Sequence, residues 1–113
     1  MVVAAQALTQ DDLILARSQL IREPIGGRTW RGALGNRGDH LYAEVAIEIR
    51  FLDRNGRAVG GLGGRADRLA PGGLLELQSR APAGAVGLRI ESLRWTVDGV
   101  RRERGPGDAW VFG

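Results

Sequence analysis

The sequence predicts an all-β, antiparallel sandwich of about seven short strands. Three observations carry this expectation. The run from Tyr42 to Leu52 alternates apolar and charged residues with a period of two. Turn signals recur roughly every 8 to 12 residues. No crossover helix pattern follows residue 24, and a parallel sheet would require such helices.

The elements follow in chain order. Residues 12–23 are ambiguous. Thr9-x-x-Asp12 has the form of a helix capping box, and Leu13, Ala16 and Leu20 have helical spacing. The position before a series of strands favours a first strand, ended by Pro24 and Gly26-Gly27. A second strand is expected over Thr29–Asn36, with Trp30 and Leu34 on one face. In the third, Ala43, Val45, Ile47, Ile49 and Phe51 point inward, and Tyr42, Glu44, Ala46, Glu48 and Arg50 outward. Asn55-Gly56 predicts a tight hairpin turn. The return strand, Arg57–Ala66, is weakened by Gly60, Gly61, Gly63 and Gly64 and reads as an edge or a bulge. Pro71-Gly72 marks a turn before a short strand with Leu75 and Leu77. Val86, Leu88 and Ile90 alternate, then Leu93, Trp95 and Val97 continue out of phase, which places a bulge near Glu91-Ser92. Asp98-Gly99 predicts a second hairpin, with Val100–Arg104 as its partner strand. A last short strand is expected over Ala109–Phe112. The common core is expected to be Trp30, Leu34, Val45, Ile47, Ile49, Phe51, Leu75, Leu77, Leu88 and Ile90.

The chain has 113 residues, enough for one domain with its own core. It contains no Cys, which excludes disulfides and thiolate chemistry. All 16 cations are Arg, against 13 carboxylates, for a net charge of +3. The high isoelectric point, near 10.9, reflects the high pKa of Arg rather than a large excess of charge. No apolar run approaches the roughly 18 residues of a membrane span. Residues 1–12 are expected to be a flexible N-terminal segment or a signal-peptide remnant, since Ala5-Gln6-Ala7 has the small-x-small form of a cleavage site. Residues 13–113 are expected to form a single β-sandwich domain.

Three sequence pieces together resemble the FxLYD family. They are Trp30-x-Gly32-x-Leu34-x-Asn36, then Phe51-Leu52-Asp53 with Gly56, then Leu69-Ala70-Pro71-Gly72 followed by Leu77. Leu52 replaces the family's usual aromatic, and Gly73 stands where a Glu is common. The resemblance implies an immunoglobulin-like antiparallel β-sandwich, usually found on bacterial envelope or secreted proteins. It implies no shared catalytic residues, and fold analogy alone says little about function.

Several chemical motifs fail on context. Gly61-x-Gly63-x-x-Ala66 fits the loose dinucleotide fingerprint, but Pro71 leaves no room for the helix that would hold pyrophosphate. Asp53-x-Asn55-Gly56 lacks the further ligands of a calcium loop. His40 is the only histidine, and Ser18, Ser79 and Ser92 lie on no nucleophile elbow. No catalytic residues, no cofactor site and no metal site are therefore expected. Glu44 and Glu48, four apart on one strand, are expected to be solvated and too far apart for a glycosidase pair.

Two binding surfaces are expected. Arg89, Arg94, Arg101, Arg102 and Arg104 cluster near Trp95 and Trp110 and are candidates for an anionic partner. Glu91, Asp98, Glu103 and Asp108 offset that charge by cross-strand pairing. Trp110 and Phe112 share one face of the last strand, which either closes the domain's own sheet or packs on a second copy as a homodimer. The expected function is a non-enzymatic interaction or structural module of a bacterial envelope or secreted protein. The alternative is an Arg-rich module that binds nucleic acid or another anionic polymer.

Overall fold

A computed structural model describes residues 12–112. These residues form eight strands and no helix: β1 (Leu13–Arg22), β2 (Arg28–Asn36), β3 (Tyr42–Leu52), β4 (Ala58–Leu69), β5 (Leu74–Ala81), β6 (Gly87–Val97), β7 (Val100–Arg104) and β8 (Trp110–Val111). All pairings are antiparallel. The smaller sheet has the order β1-β2-β5. The larger has the order β4-β3-β6-β7, with β8 also on β6. The chain is therefore an immunoglobulin-like β-sandwich. A constant-type immunoglobulin domain keeps its fourth strand in the first sheet. Here β4 pairs β3 in the second.

The first strand resolves the ambiguity over residues 12–23. Leu15 pairs Leu34 and Arg17 pairs Ala33, so Ala16 is an extra residue. That bulge breaks the period of two and produced the helix-like spacing. The N-terminal expectation falls mostly on residues 1–11, outside the described residues. Asp12 belongs to the fold. Its carbonyl accepts the Arg37 N–H at 2.7 Å, and its carboxylate accepts the Tyr42 hydroxyl at 3.2 Å.

The third strand carries two corrections, at Ala43 and Tyr42. Ala43, expected inward, pairs Thr96 on the outer face. Val45, Ile47, Ile49 and Phe51 are buried as expected, and Glu44 and Glu48 are exposed. Tyr42, placed outward by strict alternation, is fully buried. Glu44 takes a positive φ of 49° at a register shift, and this bulge reverses the phase of the residues before it. Tyr42 then packs edge-on against Trp95 at 6.3 Å. The bulge expected near Glu91-Ser92 is present. Glu48 pairs Ser92 and Ile49 pairs Ile90, so Glu91 is skipped. It lets Leu88 face the core before it and Leu93, Trp95 and Val97 after it. Leu75 and Ile90 lie at the rim of the core, half-buried.

The turns follow their residues. Asp98 and Gly99 both have positive φ, 51° and 75°, as a two-residue hairpin of the expected kind requires. The Asn55-Gly56 hairpin is wider than a two-residue turn. Asp53 closes it by donating its N–H to the Arg57 carbonyl, and its carboxylate accepts the N–H groups of Asn55 and Arg57. The glycines of β4 have a packing reason. A Cβ on Gly64 would meet Leu77 of the opposite sheet at 2.4 Å, and one on Gly60 would meet Pro82 at 2.6 Å. They bring β4 down onto β5 and seal that side of the sandwich.

Asn36 is the one buried polar residue among those described. Its Nδ2 donates to the carbonyls of His40 and Leu69, at 2.8 and 2.9 Å, and its Oδ1 accepts the Gly38 N–H. Replacing Asn36 by Leu leaves these groups without partners, at about 1–3 kcal/mol for a buried orphan. Chemical denaturation should show a loss in that range or above it. Ile47→Ala should lower stability by about 2–5 kcal/mol through cavity formation.

Burial first, then the Asp12 carboxylate beside it, push the Tyr42 phenol up from 10.0 to about 12. A raised pKa on a group that is neutral when protonated means folding favours the neutral form. The resulting stability is intact below pH 10 and is lost as pH rises toward 12. Because the chain has one tyrosine, the phenolate absorbance band should appear only near pH 12 or together with unfolding. A midpoint near 10 in the folded protein would contradict the packing described.

Candidate functional site

The two sides of the sandwich differ. On one side the glycines of β4 close the gap to β5. On the other, β1 faces β7 and β8, and two grooves remain. The larger, of about 490 Å³, runs between Ser18–Ile21 of β1 and Trp110–Phe112. The smaller, of about 350 Å³, lies between Leu13–Leu15, Ile90 and the 104–110 segment. Trp110 borders both.

This open seam is built by the chain's last described residues. Trp110 pairs Leu88 and Val111 pairs Gly87, and the Phe112 N–H donates to the Val86 carbonyl at 2.9 Å. A Cβ on Gly87 would lie 2.3 Å from the Trp110 carbonyl oxygen, so glycine is what allows β8 to approach. Phe112 packs against the core, Trp110 is half-exposed and Val111 is exposed. The last strand thus closes the domain's own sheet while leaving apolar surface at the seam.

The edge of β1 that faces the seam pairs with no strand among the described residues. Its beginning is covered, because Arg104 Nη2 donates to the Leu13 carbonyl at 3.0 Å. No described strand pairs the outward backbone groups of the stretch Ser18–Ile21. Ser18 itself is committed inward, its Oγ accepting the Trp30 Nε1–H at 2.9 Å.

The five arginines singled out in the sequence do not form one patch. Arg94 and Arg101 lie on the outer face of the larger sheet, in register with Glu103 and Thr96. Arg89 shares the strand and bonds Glu91 at 2.9 Å. Arg102 and Arg104 pair with the inward-facing Trp95 and Leu93, so they lie on the other face, at the seam. Arg101 Nη1 donates to the Glu44 carbonyl at 2.8 Å and to Thr96 Oγ1 at 3.2 Å. Arg65 joins Arg94 and Arg101 around one shallow groove, and nothing local in the sequence pointed to it. The β1 edge was likewise missed, because strand order across a sheet is not encoded locally.

The single histidine is exposed, with its Nδ1 3.8 Å from an exposed Asp98 carboxylate. Ser79 Oγ donates to the Arg80 carbonyl. Among the described residues no group of three or more His, Asp or Glu side chains could hold a metal ion. No helix among them is long and apolar enough to cross a membrane.

Two solved structures share this fold. The ApaA protein from Bordetella pertussis superposes with a TM-score of 0.62 at 17% identity, over 89% of this chain and 92% of that one. IrmA from Escherichia coli superposes with a TM-score of 0.53 at 12% identity, over 78% of this chain and 86% of that one. At such identities the likeness is one of fold. No protein-family model and no curated protein matches the sequence.

Deleting residues 109–113 should expose the β6 edge and the pocket under Phe112. The expected loss is about 2–3 kcal/mol, the scale of one large apolar side chain. The melting temperature should fall by the same amount at every protein concentration. Gly87→Ala should reproduce much of the effect without shortening the chain.

Proposed function

We propose that this chain is a non-enzymatic binding module, of the kind carried by bacterial envelope or secreted proteins, that takes an extended segment of a partner polypeptide at its open seam. The observation that carries the reading is the Ser18–Ile21 edge, unpaired among the described residues, facing Trp110–Phe112 across the larger groove. An unpaired edge offers a row of N–H and C=O groups to an incoming strand. Strand addition uses those groups for affinity and flanking pockets for alternate side chains. Trp110 supplies a rigid, half-exposed apolar wall of the type that anchors interfaces.

The placement of the polar groups supports the non-enzymatic part. His40 sits in solvent beside Asp98, while Ser18 and Ser79 are hydrogen-bonded elsewhere. The envelope or secreted setting rests on the FxLYD resemblance. Asn36 and the Leu69–Gly72 turn, two pieces of that resemblance, are joined by hydrogen bonds from the Asn36 side chain and to its carbonyl. The dispersal of the five arginines over two faces favours a polypeptide partner over an anionic polymer, which needs a contiguous basic track.

The test is selection of peptides from a random library on the full chain, followed by hydrogen exchange of the complex. Selected peptides should alternate apolar residues, slow the exchange of Ser18–Ile21, and lose binding with Trp110→Ser. Their affinity should change little with salt. Protection confined to the outer sheet faces would sink the seam reading, and so would affinity that falls steeply with salt. A concentration-dependent mass in sedimentation, removed by Trp110→Ser, would instead make a second copy of the chain the occupant.

A further inference from the structure

The outer face of the larger sheet carries a groove of about 230 Å³ over Ala46. Arg65 of β4, Arg94 of β6 and Arg101 of β7 wall it, and Glu44 and Asp67 stand at its rim. Ala46 pairs with Arg65 on one side and Arg94 on the other, so two guanidinium stems flank one methyl group. Their Cα atoms lie roughly 10 Å apart, two strand spacings. Arg101 is held at the third side by its bonds to the Glu44 carbonyl and Thr96, both made through Nη1.

Two features of this groove are unexplained by the fold. Ion pairs among the described residues join Arg17 to Glu76, His40 to Asp98 and Arg89 to Glu91, and none involves these three guanidiniums. Like charges gathered on neighbouring strands repel unless something neutralises them. In addition, the Nε–H of Arg94 is buried without an acceptor. A buried donor left unpaired is destabilising, and such groups in native proteins usually meet an ion, a water or a ligand.

We propose that this groove is a binding site for a single carboxylate, held by Arg65, Arg94 and Arg101. Glu44 and Asp67, with Glu103 in register beside Arg94, already balance the three guanidiniums, so a monoanion meets less repulsion there than a dianion. The guanidinium fork matches a carboxylate in plane and can bond both of its oxygens. A turn of the Arg94 guanidinium toward the groove brings its Nε–H, which has no partner within the fold, onto one carboxylate oxygen. The site lies on the face of the larger sheet, apart from the seam, so it stands or falls independently of strand addition there.

The measurement is a titration of the 15N-labelled full chain, following the arginine Nε–H resonances. The probes are acetate, a blocked tripeptide with a central Asp, the same peptide with Asn, and inorganic phosphate. Acetate and the Asp peptide should shift the Arg94 Nε–H saturably, and the Asn peptide should not. Arg65→Gln and Arg101→Gln, both exposed positions, should each weaken binding by about tenfold while the amide spectrum stays that of the folded protein. Tighter binding of the Asp peptide than of acetate identifies a polypeptide carboxylate as the source, and equal binding identifies a small acid. Shifts that do not saturate, shifts equal for Asp and Asn peptides, or tighter binding of phosphate than of carboxylate would each overturn the assignment.

Discussion

The Asn36 amide sits where three chain segments must meet without a helix or a metal to join them. Its two Nδ2 protons reach the carbonyls of His40 and Leu69, and its backbone exchanges bonds with the Gly72–Gly73 turn. The carbonyl of Asp12 holds the next residue, Arg37. The end of β2, the loop to β3, the end of β4 and the entry to β5 are thereby tied at one point. Only an amide could do this, since it presents two donors and an acceptor at once. A carboxylate of the same shape would repel the two carbonyls. Because β2 and β5 belong to one sheet and β3 and β4 to the other, this cluster fixes how the sheets are offset, and the grooves inherit their positions from it.

The second constraint is the unequal treatment of the two sides. Where β4 meets β5, missing Cβ atoms at Gly60 and Gly64 allow contact with Pro82 and Leu77. Where β1 meets β7 and β8, the gap is bridged by single long side chains, Arg104 and Phe112, and remains open between them. Small residues close a seam by bringing backbones together, whereas long ones span it and leave space. A β-sandwich must manage its free edges, and bulges, glycine and charge are common means. β4 uses glycine. β1 uses a bulge at Ala16 and an arginine cap at Leu13, which leave Ser18–Ile21 as the accessible part.

Most of the fold was legible because it depends on local patterns. Alternation located β3, the phase change located the bulge at Glu91, and Asp98-Gly99 located a hairpin of the expected geometry. Tyr42 was misplaced because Glu44 takes a left-handed conformation, which is uncommon for a non-glycine residue and leaves no mark in the alternation. The binding surfaces were harder to read. Arg65 and Arg94 are far apart in sequence and meet only because both flank β3. Among the described strands β1 ends its sheet because β2 pairs β5 on its other side. Sequence proximity grouped Arg101 with Arg102, yet neighbouring residues on a strand point to opposite faces. Cross-sheet register decides these groupings, and register is a property of pairs of strands.

The exclusive use of arginine then takes on a structural meaning. Arg28 donates to the Pro82 carbonyl, Arg101 to that of Glu44 and Arg104 to that of Leu13, each across more than fifty residues of sequence. In every case the guanidinium satisfies a carbonyl that strand pairing leaves over, at a loop, a bulge or a free edge. A planar head with several donors can serve a carbonyl and still face solvent, which suits it to strand ends better than a compact ammonium. Part of the positive charge is thus committed to holding the sandwich together and is spread wherever pairing is incomplete. A basic composition of this origin predicts no basic track on the surface. What distinguishes the arginines around Ala46 is that Arg65 and Arg94 serve no such carbonyl and Arg101 spends only Nη1 on one, so all three keep guanidinium donors for recognition.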